Sequence, residues 1–269
     1  MKIGIIGYGY WGKILHKNLK DFSDVVVHDP YIGIDNEESI NDCSHVFVAT
    51  TTSTHKSVVD PLLQKGINVF CEKPLCTDKP SVNCLFTEAK RNNVNLFVDW
   101  TFTFNDAIAT IKKMYENKEL GSIRSVTMNR MNSGPVRHDV SAKWDLSSHD
   151  VSIIQYLFED YPTKVHWIER KRNPKSFQHD TCIGILQYES FDVIINSSWE
   201  YSAKDRRCVF EFDAGILIWD DSTNTIKLNG KDIKFTTFNS PLENSISCFL
   251  EGGVDQEKLT NQVTEILEN

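Results

Sequence analysis

The segment Gly7-Tyr8-Gly9-Tyr10-Trp11-Gly12 follows directly on an apolar run at residues 2–6. Alone, a G-x-G-x-x-G is a weak signal. Between a predicted strand and a predicted helix it constrains the chain strongly, because few backbones need three glycines at that spacing. Gly7 permits the tight turn and Gly9 lets backbone approach a pyrophosphate. Gly12 lets helix and strand pack closely, and the helix N-terminus faces the phosphate charge. A second apolar run, residues 25–28, ends at Asp29. A carboxylate there accepts hydrogen bonds from the adenosine ribose hydroxyls and repels a 2′-phosphate. The pattern predicts a dinucleotide site on Gly7, Gly9, Tyr10, Trp11, Gly12 and Asp29, with NAD favoured over NADP.

The alternation continues. Strand-like runs occur at 2–6, 25–28, 45–48, 68–70 and 95–98, with helical stretches at 11–20, 54–65 and 79–92. Strands alternating with helices imply βαβ units and a parallel sheet. Continuous apolar strands imply helices on both faces. Pro61 predicts a kink in the second of these helices, or a fresh start capped by Asp60. Another helix is expected at 105–118, ending before Gly121, and one more at 146–158. Strand candidates at 164–170, 181–188, 192–200, 207–213 and 215–220 lack helices between them, which predicts an antiparallel sheet. Helices near 242–250 and 255–267 close the chain. The expected fold is an α/β Rossmann domain over residues 1–120 and an α+β domain with a large, mostly antiparallel open sheet over 121–269.

Composition narrows the partners. Lys and Arg number 29 against 37 Asp and Glu, a net charge of −8, which argues against nucleic-acid binding by bulk charge. No apolar run approaches the roughly 20 residues of a membrane span. Seven cysteines without a C-x-x-C or zinc-ligand spacing predict reduced thiols, no metal and a cytoplasmic protein.

Several local motifs carry a resemblance. Ala49-Thr50-Thr51 leads to His55, and the fourth strand leads into Cys71-Glu72-Lys73-Pro74-Leu75. Phe102-Thr103-Phe104-Asn105, Gly121-Ser122-Ile123 and Trp144-Asp145-Leu146-Ser147-Ser148-His149-Asp150 follow in order. Together they resemble the glucose–fructose oxidoreductase/inositol dehydrogenase (Gfo/Idh/MocA) family. The stretch at 130–140 is similar to a branch associated with sugar nucleotides and surface-polysaccharide metabolism. The resemblance implies an NAD-dependent oxidoreductase. Its hydride would pass between nicotinamide and a secondary alcohol of a sugar or cyclic polyol, and a sugar nucleotide fits that branch.

The resemblance also implies roles. Lys73 would reach the substrate hydroxyl, with Glu72 positioning it. Thr50, Thr51, His55, Glu72 and Lys73 would border the cofactor. Asp145 and His149 are four residues apart, which on an α-helix puts them on one face. An Asp so placed can fix the tautomer of an imidazole that takes the hydroxyl proton. Asp150 is read as structural. Arg130, Asn132, Arg137 and His138 read as a polar loop that could hold a carboxylate or diphosphate, and Asn105 as a further substrate contact. Trp100 and Phe104 are expected in core packing. An open sheet needs cover, which predicts a homodimer or homotetramer. Two alternatives stay open: an NAD- and sugar-binding regulator without turnover, and a reductase of a dihydrodiol, imine or tetrapyrrole.

Overall fold

The first strand-like run forms β1 (Ile3–Ile6), and the glycine segment turns it into α1 (Tyr10–Leu19). The computed structural model describes residues 1–19 and 24–269, so the expected end of this helix at Lys20 lies outside the described residues. β2 (Val25–His28), α2 (Glu37–Asn41), β3 (His45–Val48), α3 (Thr52–Gln64), β4 (Asn68–Cys71), α4 (Lys79–Arg91) and β5 (Leu96–Val98) follow. The five strands are parallel, in the order β2-β1-β3-β4-β5. The direction of winding reverses between β1 and β3, and open α/β sheets bind ligands beyond the carboxyl ends of strands at such a reversal. The helices cover both faces, so Ile3, Ile5, Val46, Phe47, Val69 and Phe70 are fully buried.

Helix α3 runs through Pro61 as one helix, so the alternative of a fresh start capped by Asp60 does not hold. Val59, Leu62 and Leu63 are all buried on it. Each such burial stabilises by about 1.5–3 kcal/mol, which together outweighs the ~3 kcal/mol cost of an interior proline. Asp60 accepts from Gln64 Nε2 at 3.1 Å within this helix instead of capping a new one.

The remaining elements are α5 (Asp106–Glu116), β6 (Ile123–Ser133), a π-helical turn (Lys143–Ser147), α6 (Ser148–Phe158), β7 (Lys164–Arg170), β8 (Thr181–Gln187), β9 (Asp192–Ser198), β10 (Glu200–Asp205), β11 (Arg207–Phe212), β12 (Gly215–Asp220), β13 (Thr225–Leu228), β14 (Lys231–Ile233), α7 (Pro241–Leu250) and α8 (Glu257–Glu268). They build a nine-stranded sheet ordered β14-β13-β12-β11-β6-β9-β8-β7, with β10 also on β6. Only β6 and β9 pair in parallel; the other pairs are antiparallel. The chain is thus an α/β parallel sheet joined to a large, mostly antiparallel one. Arg130 and Asn132, read as part of a polar loop, lie instead on its longest strand, β6.

Contacts divide the chain into two compact units: Met1–Trp100 with Glu243–Thr264, and Thr101–Leu242 with Glu265–Asn269. The sequence pattern suggests a single boundary near 120, with everything after it in the second domain. The difference has a physical cause in the first unit. Phe249 of α7 packs its ring against Phe47, Phe70 and Phe97 of the parallel sheet, at centroid distances of 5.4, 5.6 and 5.7 Å. Trp100 donates to Thr260 Oγ1 at 3.0 Å in the same unit.

Candidate active-site residues in the two units

In the first unit the glycine turn is fixed by close backbone approach. Gly7 has φ +90°, and a Cβ there would lie 2.8 Å from the Ala49 carbonyl and the Thr50 nitrogen. A Cβ at Gly12 would run into the Gly7 carbonyl. At Gly9 a Cβ would meet nothing within 4 Å, so this backbone borders open space. Asp29 stands beside the turn. Its Oδ2 accepts from Tyr8 N at 2.7 Å and its Oδ1 from Tyr31 N at 3.2 Å. Each oxygen keeps a further lone pair. A crowded turn, an open glycine backbone and a fixed carboxylate fit a dinucleotide: pyrophosphate at Gly9 and α1, adenosine ribose at Asp29. Tyr10 opens α1 with its side chain 80% exposed.

The Glu72-Lys73-Pro74 turn is tied to the same region. Trp11 Nε1 donates to the Glu72 carboxylate. His55 is buried between two loops, with Nδ1 2.9 Å from the Pro74 carbonyl and Nε2 3.2 Å from the Thr50 carbonyl. Thr54 Oγ1 donates to Thr50 Oγ1 at 3.0 Å, and Thr51 precedes α3 in an extended conformation. Lys73 is therefore carried on a turn braced from both sides. Cys71, just before it, is fully buried, and burial pushes its thiol well above the usual range, which excludes a resting thiolate there.

In the second unit Asp145 lies in the π-helical turn and His149 in the first turn of α6. The two are therefore not on one regular α-helix, as their spacing suggests. Turns with i→i+5 bonding recur at functional sites. Trp199 Nε1 donates to Asp145 Oδ2 at 3.1 Å, and Trp199 packs with Ala142 and Leu146 in a buried cluster. The His149 ring meets Phe102 edge to face, with centroids 4.9 Å apart and planes at 89°. Local sequence carries no signal for Trp199, 54 residues from its partner.

Arg130 is not on a loop. It lies on β6, 2% exposed, and donates from Nε and Nη2 to Asp150 Oδ1 at 3.0 and 2.8 Å. Its Nη1 is 3.8 Å from Asp221, and its guanidinium lies 4.4 Å from the Phe102 centroid. Two of its donors go to the buried Asp150 carboxylate, so this pairing accounts for its burial. Burial pushes the Asp150 carboxyl up while Arg130 pulls it back. Asn105 caps α5, accepting from Ala107 N at 2.8 Å, so capping accounts for it. Asn132 is the last residue but one of β6 and donates to the Gly134 carbonyl at 2.5 Å. Arg137 donates to Asp139 at 3.4 Å and remains partly exposed.

Comparison with known proteins agrees with this division. Residues 26–100 match the family model described as an oxidoreductase family with an NAD-binding Rossmann fold, and residues 108–218 match the GFO/IDH/MocA C-terminal domain. The chain is 25% identical over 250 residues to the myo-inositol 2-dehydrogenase of Thermotoga maritima, covering 81% of this chain and 72% of that protein. It is similar in structure to a UDP-N-acetylglucosamine 3-dehydrogenase, GnnA, from Acidithiobacillus ferrooxidans (TM-score 0.85, 18% identity, 99% and 95% of the two chains). It is similar also to the WlbA dehydrogenase from Bordetella pertussis in complex with NADH and UDP-GlcNAcA (TM-score 0.82, 17% identity, 98% and 92%).

Proposed function

Because this chain belongs to the Gfo/Idh/MocA oxidoreductase family, we propose that it moves hydride between nicotinamide C4 of NAD and a secondary alcohol carbon. The alcohol belongs to a sugar or cyclic polyol, and a sugar nucleotide is the favoured class. The observation that carries the reading is the bracing of the Lys73 turn in the first unit. Glu72 is held by Trp11 of the glycine-turn helix, and Pro74 by His55, which also meets Thr50. A cation on such a turn has a fixed relation to a dinucleotide lying along it. The names of the relatives, inositol and sugar-nucleotide dehydrogenases, support the substrate class.

When bound, NAD supplies the two-electron acceptor or donor, and the chain supplies position and proton handling. Lys73 binds the substrate hydroxyl and stabilises the developing alkoxide. His149 takes the hydroxyl proton during oxidation and returns it during reduction. Asp145, steadied by Trp199, supports the protonated imidazole. Asn132 and Arg137 remain as contacts for polar groups of the substrate. The test is NADH formation from NAD with inositols, free hexoses and UDP- or dTDP-linked hexoses. Binding of both NAD and a sugar with no turnover in either direction would replace this reading with a regulatory one.

Two further expectations belong here. Asp29 makes NADH bind at least tenfold more tightly than NADPH, about 1.4 kcal/mol. Fluorescence titration of both checks this, and equal affinities would remove Asp29 from the ribose site. The second concerns assembly. Ile185 and Ile194 are cross-strand neighbours, 37% and 42% exposed, on a face that continues through Thr127 and Val209 to Ile218. Covering that apolar stripe with a second copy gives a homodimer or homotetramer. Light scattering at micromolar concentration should show a dimer or larger species. A monomer would mean that the face tolerates water. A cytoplasmic location belongs to the same reading.

A further inference from the structure

The β7–β8 connection contrasts in charge with the rest of this acidic chain. Residues 170–179 hold Arg170, Lys171, Arg172, Lys175 and His179 and no carboxylate. In their midst Phe177 leaves 72% of its surface exposed. An aromatic ring among cations is what a ligand with both a planar base and phosphate charge requires.

The loop is built, not draped. Asp180, fully buried, accepts from Arg172 N and Asn173 N, each at 2.8 Å, and so fixes the loop's base. Lys171 Nζ donates to the Phe177 carbonyl at 3.2 Å and braces its middle. The carboxylates bordering the loop are engaged. Glu169 accepts from Ser141 Oγ at 2.6 Å and pairs with Lys143 and His179 at 3.3 and 3.9 Å. Glu200 accepts from Asn173 Nδ2 at 2.9 Å. Among the described residues no carboxylate pairs with the side chains of Arg172 or Lys175, both exposed.

The loop also touches two elements of the proposed site within its own unit. The Phe177 ring meets His138 edge to face at 4.8 Å, and Gln178 Nε2 donates to the His138 carbonyl at 3.1 Å. His138 adjoins Arg137. At the loop's end, the His179 carbonyl accepts from Ala142 N and the Asp180 carbonyl from Trp199 N, both at 2.9 Å. Trp199 is the residue that holds Asp145. The basic loop and the turn carrying the proposed catalytic carboxylate thus share one anchor.

We propose that Arg172, Lys175 and Phe177, with Arg137 and His138 beside them, form the subsite for a nucleoside diphosphate carried by the substrate. The cations take the diphosphate and Phe177 stacks on the base. This rests on the reading that the chain acts on a sugar or polyol, and it specifies how that sugar is delivered. It replaces Arg130, which is buried against Asp150, as the source of positive charge for the substrate.

The test is equilibrium binding of UDP, dTDP, GDP and inorganic pyrophosphate to the full chain saturated with NADH, so that the cofactor site is closed to them. At least one nucleoside diphosphate should bind the wild type. The double substitution Arg172→Glu/Lys175→Glu should weaken it at least tenfold, and Phe177→Ser should weaken it while leaving pyrophosphate unchanged. All three positions are exposed, so NADH affinity and the circular dichroism spectrum should not move in any variant. The proposal is overturned if no nucleoside diphosphate binds, or if the variants bind as the wild type does. It is also overturned if RNA or anionic lipid vesicles, and not nucleotides, lose binding with the charge reversal. Turnover of free inositol or hexose without nucleotide binding would sink this subsite and leave the oxidoreductase reading standing. Loop-dependent nucleotide binding without hydride transfer would do the reverse.

Discussion

His149→Ala and Lys73→Ala should each lower turnover by ~10²–10⁴, the usual contribution of a positioned acid–base group. Neither should weaken NADH binding by much, because the proposed cofactor contacts at its adenosine and pyrophosphate end lie elsewhere, at the crowded turn of Gly7 and Gly12 and the fixed Asp29 carboxylate. For His149→Ala the loss should appear in kcat more than in KM, since the proton moves in the transition state and not on binding, whereas Lys73→Ala also removes a contact to the bound hydroxyl and should raise KM as well. Asp145→Asn is the graded companion. Its side-chain oxygen can still accept from Trp199 Nε1, so the turn keeps its shape, while the charge that favours the protonated imidazole is gone. It should fall between wild type and His149→Ala. Steady-state rates with a turned-over substrate, beside NADH titrations of each variant, decide the matter. Near wild-type turnover in both alanine variants would remove the proposed acid–base pair.

Arg130→Met should destabilise the chain by about 3–5 kcal/mol, the range for breaking a buried ion pair from one side. The substitution strands the Asp150 carboxylate, which is fully buried and accepts from Arg130 Nε and Nη2. It also removes the cation over Phe102 and frees Asp221 to pair only with Arg206, at 3.5 Å. The double variant Arg130→Met/Asp150→Leu should recover much of the loss, because apolar pairs of similar volume often replace buried ion pairs at little cost. Denaturant midpoints of the two single variants and the double variant give the coupling. A small loss in Arg130→Met would mean that water reaches the Asp150 carboxylate. An Arg130 that binds substrate would instead leave stability intact and raise KM.

The first unit was legible because its signals are local. Each parallel strand is a short continuous apolar run, and the glycine spacing marks one turn whose crowding needs only neighbours in sequence and the next strand. Strand β6 was not legible for the opposite reason. Its inward positions alternate as Val126, Met128 and Arg130, and the third is a cation. Asp150, 20 residues away on α6, with Asp221 beside it, makes that position burial-compatible. The register also shifts where Ile123 and Ser125 meet β11, which breaks the period of two. The fresh start at Pro61 fails because local propensity is set against three buried apolar side chains on the same helix. Helix α7 was readable as a helix but not as part of the first unit. The phenylalanines that receive Phe249 lie about 150 to 200 residues earlier in the chain. Of the proposed site, Lys73, Asp145 and His149 stand out through motif order, whereas Trp199 and the Asp180-anchored loop depend on pairings that only the folded sheet provides.

In the proposed reaction, hydride moves from a sugar or polyol carbon to nicotinamide. The most direct measurement uses substrates deuterated at the ring carbinol carbons, drawn from the inositols, free hexoses and UDP- or dTDP-linked hexoses. Each is incubated with NAD and the wild-type protein, and the reduced cofactor is isolated and analysed by mass spectrometry and proton NMR. At least one substrate should yield NADH carrying a single deuterium at C4, and His149→Ala should yield it at least a hundredfold more slowly. Binding of NAD together with a sugar, with no deuterium reaching C4 from any member of the panel, would contradict it.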